Sequence, residues 1–248
     1  MDEKKITAMR AGGKIMARIF AELKDYTKAG LTGKEVSDWV EKKILEAGAQ
    51  VAYYEPEVDF PGSICISVND ELIHGTPKDI PFEEGDKVSY DLVIKYQGYY
   101  VDSAFTMIIG KPTAAQKHLL SFTESSLYEG IEQVKAGAKL GDIGAAVEKT
   151  LEKGKLGVIR NYVGHGIGKS MHMPPEVPNY GKKGQGYELK AGDTICIESM
   201  SSLGKPDTIV VEDDDDGWTV CLKDGSLGCH FEHTILVTED GYEILTQA

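Results

Sequence analysis

One pattern of hydrophobic periodicity occurs twice in this chain, and that repetition restricts the fold more than any other feature. Residues 1–48 carry apolar side chains at helical spacing in two blocks: Ile6, Met9, Met16, Ile19, Phe20 and Leu23, then Val36, Trp39, Val40 and Ile44. Thr32 and Glu35 form a capping-box signature ahead of the second block, and Gly48 suits its C-terminal cap. Over residues 51–110 the pattern turns to short β-rich runs such as SICISV, KVSYDLVI and YYVDSAFTMII. Then it starts again. Thr113 and Gln116 make another capping box, Leu119, Leu120, Leu127, Ile131 and Val134 a stripe closed by Gly137, and Ile143, Val147 and Leu151 a fourth helix ending near Gly154. Strand-like runs GVIRNYV, DTICIES, TVCLK and HTILVT follow. Two helices then strands, twice over, predict an α+β fold with pseudo-repeats of roughly 1–110 and 111–248 whose helices pack on a shared sheet. No Pro/Gly/Ser-rich linker separates the halves, so 1–248 reads as a single domain.

Composition narrows the functional classes. A net charge of −13 argues against binding nucleic acid through its phosphates. No run of 18 apolar residues exists to span a membrane, and MDEKKITAMRAGGK has no apolar signal core, so the chain is expected in the cytoplasm. Cys65, Cys196, Cys221 and Cys229 form no CxxC pair and read as free thiols in a reducing compartment.

The acids carry the chemistry. KVSYDLVIKYQGYYVDSAFTMII reads as a hairpin with the turn Lys95-Tyr96-Gln97-Gly98. Centring the turn between Tyr96 and Gln97 places Asp91 directly opposite Asp102, with Cβ atoms about 5 Å apart. Two carboxylates there repel by roughly 3 kcal/mol at an effective dielectric near 20. The apolar neighbours Leu92, Val93, Ile94, Ala104 and Phe105 disfavour full solvation, leaving a shared proton or a cation to relieve the repulsion. Glu198 in TICIESM and Glu232 in GCHFEHTILV stand in equally apolar runs. Four embedded carboxylates and His165 are too many donors for one zinc but suit two divalent ions about 3.5–4 Å apart.

His165 and His172 lie in VGHGIGKSMHMPPEVPNY, whose glycines and prolines exclude a helix. On a strand their odd separation would send them to opposite faces. Three other patterns fail. GIGKS has Val163 where a phosphate loop needs its first glycine, and EDDDDGW leads to Lys223 where a calcium loop needs a bidentate Glu. That acidic run reads as a solvated loop. No GxSxG is present for a serine hydrolase.

Taken together, HGTP (His74 to Pro77), the Asp91 and Asp102 pair, GHGIG (Gly164 to Gly168), IES around Glu198 and FEHT around Glu232 resemble the methionine aminopeptidases, in the short bacterial type 1 form. The resemblance runs from the first helix to GYEILT and implies the pita-bread fold, two pseudo-symmetric halves around a curved antiparallel sheet. It implies five metal ligands, Asp91, Asp102, His165, Glu198 and Glu232, with Asp102 and Glu232 bridging two divalent ions (Co, Mn, Fe or Zn). His74 and His172 match the family's substrate-contacting histidines. Departures are Ser199 for the usual Pro, Met173-Pro174 for two acids, His230 for Gln and Val93 for Thr.

The activity so implied is removal of the N-terminal methionine from nascent proteins. A bridging hydroxide attacks the scissile carbonyl, His172 helps stabilise the oxyanion, Glu198 carries the proton and His74 holds the scissile amide. Cys65, Phe60, Trp218 and Phe231 are expected to line the methionine pocket. Small uncharged second residues are expected to be preferred, on a monomer whose contact with the ribosome is local or transient.

Overall fold

The computed structural model describes residues 2–56, 58–211 and 216–247. In the first half, α1 (Glu3–Tyr26) and α2 (Gly33–Glu46) lead to β1 (Gln50–Val51), β2 (Cys65–Val68), β3 (Glu71–Ile73), β4 (Lys87–Tyr96) and β5 (Tyr99–Ile108). In the second, α3 (Ala114–Ile131) and α4 (Leu140–Lys153) lead to β6 (Gly157–Val158), β7 (Gly164–Gly166) and β8 (Met173–Val177). The chain continues through β9 (Thr194–Ser202), β10 (Thr208–Val210), β11 (Val220–Leu222), β12 (Gly228–Val237) and β13 (Tyr242–Ile244). The α+β repeat read from the periodicity is therefore present.

The helices begin where the side chains can cap them. Thr32 and Glu35 close a reciprocal capping box on α2, and Thr113 and Gln116 do the same on α3. One expected boundary moves. Helix α3 stops at Ile131, because residues 132–134 continue as tight turns, and Gly137 instead donates its N–H to the Leu189 carbonyl. Of the GVIRNYV run, only Gly157–Val158 is strand.

A ten-stranded antiparallel sheet runs β1-β4-β5-β12-β9-β7-β8, with β2 on β4, β6 on β9 and β13 on β12. The halves join where β5 pairs with β12, at Ala104 and Glu232. Alternation along each strand then separates two faces. Tyr90, Phe105 and Phe231 are buried on the side of the helices, where Phe20 of α1 packs edge-on against Phe105. Burying each such ring contributes about 1.5–3 kcal/mol. The opposite face carries the acids.

The hairpin register differs from the expected one. Tyr96 pairs with Tyr99, leaving Gln97 (φ 50°) and Gly98 (φ 79°) as the two central turn residues. Two left-handed residues make a type I′ turn, whose twist matches that of the strands it joins. Asp91 consequently faces Ala104, and Asp102 faces Val93. The two aspartates are diagonal neighbours rather than an opposed pair. Because the offset is two residues, both stay on the same face.

Candidate active site

Three registers together draw a row across four strands. Asp91 pairs with Ala104, Ala104 with Glu232, and Glu232 with Glu198. The small Ala104 leaves room between the acids, and Asp102 stands one same-face position further along β5. Asp102, Glu198 and Glu232 are buried, and Asp91 is partly buried.

His165 arrives from β7. Its flanking glycines are required by close approach: a Cβ at Gly164 would collide with the Cys196 carbonyl oxygen, and one at Gly166 with that of Pro174. Imidazole Nδ1 lies 2.9 Å from the Gly166 carbonyl oxygen, which can only accept, so Nδ1 carries the proton. Nε2 is left with a free lone pair aimed at the acids, 3.6 Å from Asp102 Oδ2 and 3.7 Å from Glu198 Oε1. The odd spacing of the two histidines does not send them to opposite faces, because His172 precedes β8 and lies outside a strand. Their rings meet edge to face with centroids 4.5 Å apart.

Burial is the main force on these groups. It pushes the Asp102 carboxyl up to about 7, against hydrogen bonds from Asp91 and the Ser103 backbone. Burial and then the charge of Asp102 hold Asp91 well above the carboxylate range. Glu198 and Glu232 are raised in the same way, by burial first and Asp102 second. His165 is pushed down by burial. Such a set stays ionised only with a compensating cation.

The donors fit a divalent ion. Ligand atoms of Asp102, His165, Cys196 and Glu232 all lie within 4.8 Å of one another. Asp102 Oδ1 and Glu232 Oε1 are buried with no hydrogen-bond partner. Carboxylate oxygens and one imidazole nitrogen are donors that first-row divalent ions accept.

Beside the acids opens a cleft of about 590 Å³ lined by His74, Tyr162, His165, His172, Met173 and Glu198. His74 holds a left-handed backbone (φ 56°), an uncommon conformation that places its ring against Tyr162 and Trp218, both edge-on. Burial and the neighbouring His172 lower its pKa to about 4, so the ring is neutral at physiological pH. Phe60 packs edge-on against Trp218 at 5.6 Å and tilted against Tyr53 at 5.1 Å. Cys65, paired with Asp91 across β2 and β4, donates its thiol to Tyr53 Oη at 3.6 Å. Asp216 accepts from the Trp218 and Thr219 backbone N–H groups and from the Thr76 hydroxyl, tying the tryptophan to the histidine's own loop. Of the acidic run, residues 212–215 lie outside the described residues.

Phe231 is the expected pocket residue that is not there. Adjacent to Glu232 on β12, it points to the helix side and lines a separate cavity with Phe20 and Leu127. Ser199 is likewise on that side, hydrogen-bonded to Ser126 of α3 at 2.5 Å, so this departure does not touch the cleft. All four cysteines are free; Cys221 is only partly buried.

Four residues at the site carry no site role in the sequence analysis, where Cys196 stands only as a free thiol and His230 only as a departure from the family pattern. Tyr53, on a short 3-10 turn, reaches Asp91 Oδ1 at 3.5 Å, and Tyr162 backs His74. Cys196 and His230 each stand two residues before a glutamate on β9 and β12. Strand alternation alone puts them on the acid face, and that signal was available.

The chain matches the model of metallopeptidase family M24 over residues 7–239. It is 40% identical to methionine aminopeptidase 1 of Bacillus subtilis over 96% of this chain and 95% of the relative. A crystal structure of methionine aminopeptidase from Rickettsia prowazekii superposes with a TM-score of 0.95 at 39% identity, covering 99% of this chain and 98% of that one. Prolidase from Pyrococcus furiosus superposes at 0.78 with 22% identity, covering 100% of this chain and 65% of that one, which shows a shared pita-bread fold and nothing finer. No helix among the described residues is long and apolar enough to cross a membrane.

Proposed function

The chain belongs to metallopeptidase family M24, and from that premise we propose that it removes the N-terminal methionine from nascent polypeptides as a single catalytic domain. The observation carrying this reading is the meeting of four acids and His165 on one sheet face beside a cleft that contains His74 and His172. Asp91, Asp102, His165, Glu198 and Glu232 would hold two divalent ions. When bound, such ions supply Lewis acidity and lower the pKa of water toward neutrality.

The remaining steps belong to side chains. Phe60, Trp218 and Cys65 offer the methionine side chain an apolar and sulfur-tolerant surface. Tyr53 orients Asp91 and borders the same surface. Neutral His74 donates to or accepts from the scissile amide, and the exposed His172 at the mouth of the cleft donates to the carbonyl oxygen as it gains charge. Glu198 has the burial a proton carrier needs: it takes a proton from the attacking water and releases it to the departing amine. The free α-amine of a substrate finds the carboxylate cluster, which restricts cleavage to the first residue.

The reading extends to a cytoplasmic monomer that prefers small second residues, because His74 and His172 crowd the position beyond the scissile bond. One extra methylene there is worth about 1–3 kcal/mol. Peptides with N-terminal Met and varied second residues test it: Met-Ala and Met-Gly should be cleaved at least about tenfold faster than Met-Leu or Met-Lys. Equal rates, or faster cleavage of Xaa-Pro, would leave the family in place and remove this substrate assignment.

A further inference from the structure

His230 is an anomaly that the five expected ligands leave unexplained. It is 1% exposed, and neither ring nitrogen has a hydrogen-bond partner. A buried imidazole without partners forfeits the hydration it had in the unfolded chain. Its backbone is held on both sides by the Thr106 hydroxyl, which donates to the His230 carbonyl at 2.7 Å and accepts from its N–H at 3.1 Å. The ring is thus fixed on the acid face, two residues from Glu232. There Nε2 lies 3.6 Å from Glu232 Oε2 and 3.9 Å from Glu198 Oε2.

Those separations exceed hydrogen-bonding distance and match another arrangement. Donors that share one ion through bonds of about 2.1 Å lie roughly 3–4 Å apart. His165 Nε2 stands in the same relation to the other oxygen of Glu198, at 3.7 Å. One glutamate therefore lies between two imidazoles, with one oxygen turned to each.

Resting on the metal centre of the proposed function, we propose that His230 is a direct ligand of that centre, a second imidazole donor across Glu198 from His165. A second nitrogen donor in a carboxylate-rich set favours cobalt, iron or zinc over manganese, whose preference is for oxygen.

The test is proton NMR of the full chain loaded with Co(II), in water and in deuterium oxide. Each coordinated imidazole contributes a strongly shifted, solvent-exchangeable N–H signal. We expect two such signals in the parent protein, one in His165→Ala, one in His230→Gln, and none in the double variant. Near-ultraviolet circular dichroism of the apo proteins confirms that each variant folds. His230→Gln should also lose at least about tenfold in its preference for Co(II) over Mn(II). A role through hydrogen bonding alone could lower metal affinity by about 10–100-fold as well, but it would leave the parent with a single shifted signal, lost in His165→Ala and kept in His230→Gln. That result overturns the assignment while the metal centre stands. Absence of any shifted signal overturns the metal reading itself, and this ligand with it.

Discussion

The two halves bring their acids to the same place by different routes. In the first half, Asp91 and Asp102 belong to one hairpin closed by Gln97 and Gly98, and they end up diagonal. In the second, Glu198 and Glu232 lie on β9 and β12, separated by residues 203–227, and face each other directly. The first geometry is local, because a type I′ turn dictates every partner in the hairpin. The second has no comparable local cause. Strand β9 is tied to the helix side, where Ser126 and Thr123 of α3 hydrogen-bond its Ser199 and Ser201, and its ladder with β12 joins two distant segments of chain. A pseudo-symmetric fold can therefore build equivalent positions with unequal tolerance to change.

The largest effects should come from the acids in the tight cluster. Asp102→Asn and Glu232→Gln remove donors that lie within 4.8 Å of His165. Each should lower kcat/KM at least about 100-fold, beyond what losing a supporting contact around a metal costs. Asp91 is partly buried and shares its load with Tyr53, so Asp91→Asn should release less metal than Asp102→Asn. Metal titration followed by kinetics makes the comparison. Equal metal loss from both aspartate variants would erase the distinction between a central and a flanking acid.

Next come the histidines, neighbours in space with separate duties. His165→Ala should weaken metal binding. His172→Ala should keep the metal and lose about 10²-fold in kcat, the scale of one oxyanion donor. Parallel loss of metal from both would mean that the edge-to-face contact at 4.5 Å, rather than ligation, is what His165 supplies.

A smaller effect concerns pH in the absence of metal. Burial pushes Asp102 up to about 7 in the folded protein, against 3.8 for the ordinary group. Between those values the folded chain holds a proton that the unfolded chain has released, so this group's contribution to stability falls as pH rises from about 4 to 7. Asparagine carries no such penalty. In chelator, Asp102→Asn should therefore melt higher than the parent at pH 8, with the gap closing toward pH 4, each kcal/mol recovered appearing as about 2–4 °C. Saturating metal should reverse the order at pH 8. A gap of the same size at pH 5 and pH 8 would show that proton binding is not its source.

What could be read from the sequence divides along the same line between local and distant causes. Capping boxes at Thr32 and Thr113 and the apolar runs around Glu198 and Glu232 were legible because each depends on a few adjacent residues. The four acids and one histidine of the candidate centre were named from such runs together with a family resemblance. Phe231 was misassigned although alternation next to Glu232 already sends it to the opposite face, where it pairs with Ser199 on the side of the helices. His230 appeared only as a departure from a pattern, since nothing in a sequence reveals that a ring will be buried without partners. Tyr53 and Tyr162 reach the site through tertiary packing from a short turn and a loop, where periodicity carries no information.

The smallest effect returns to the turn that moved the aspartates. Type I′ turns favour Asn-Gly at their centre, because Asn tolerates the left-handed region better than residues with longer side chains. Gln97 occupies the first central position at φ 50° and is exposed. Gln97→Asn should stabilise the protein by no more than about 0.5 kcal/mol, the scale of ordinary surface changes. Because the turn type stays the same, Asp91 should still face Ala104, and metal affinity and kcat should not move. Gly98→Ala places a side chain on a backbone at φ 79° and should destabilise by more than about 0.4–1 kcal/mol. Urea denaturation midpoints for the pair, measured beside metal titrations, separate turn energy from acid geometry. If Gln97→Asn changed metal affinity, the hairpin register would be adjustable in solution, and the diagonal placement of Asp91 and Asp102 would be one of several arrangements rather than the outcome of the turn.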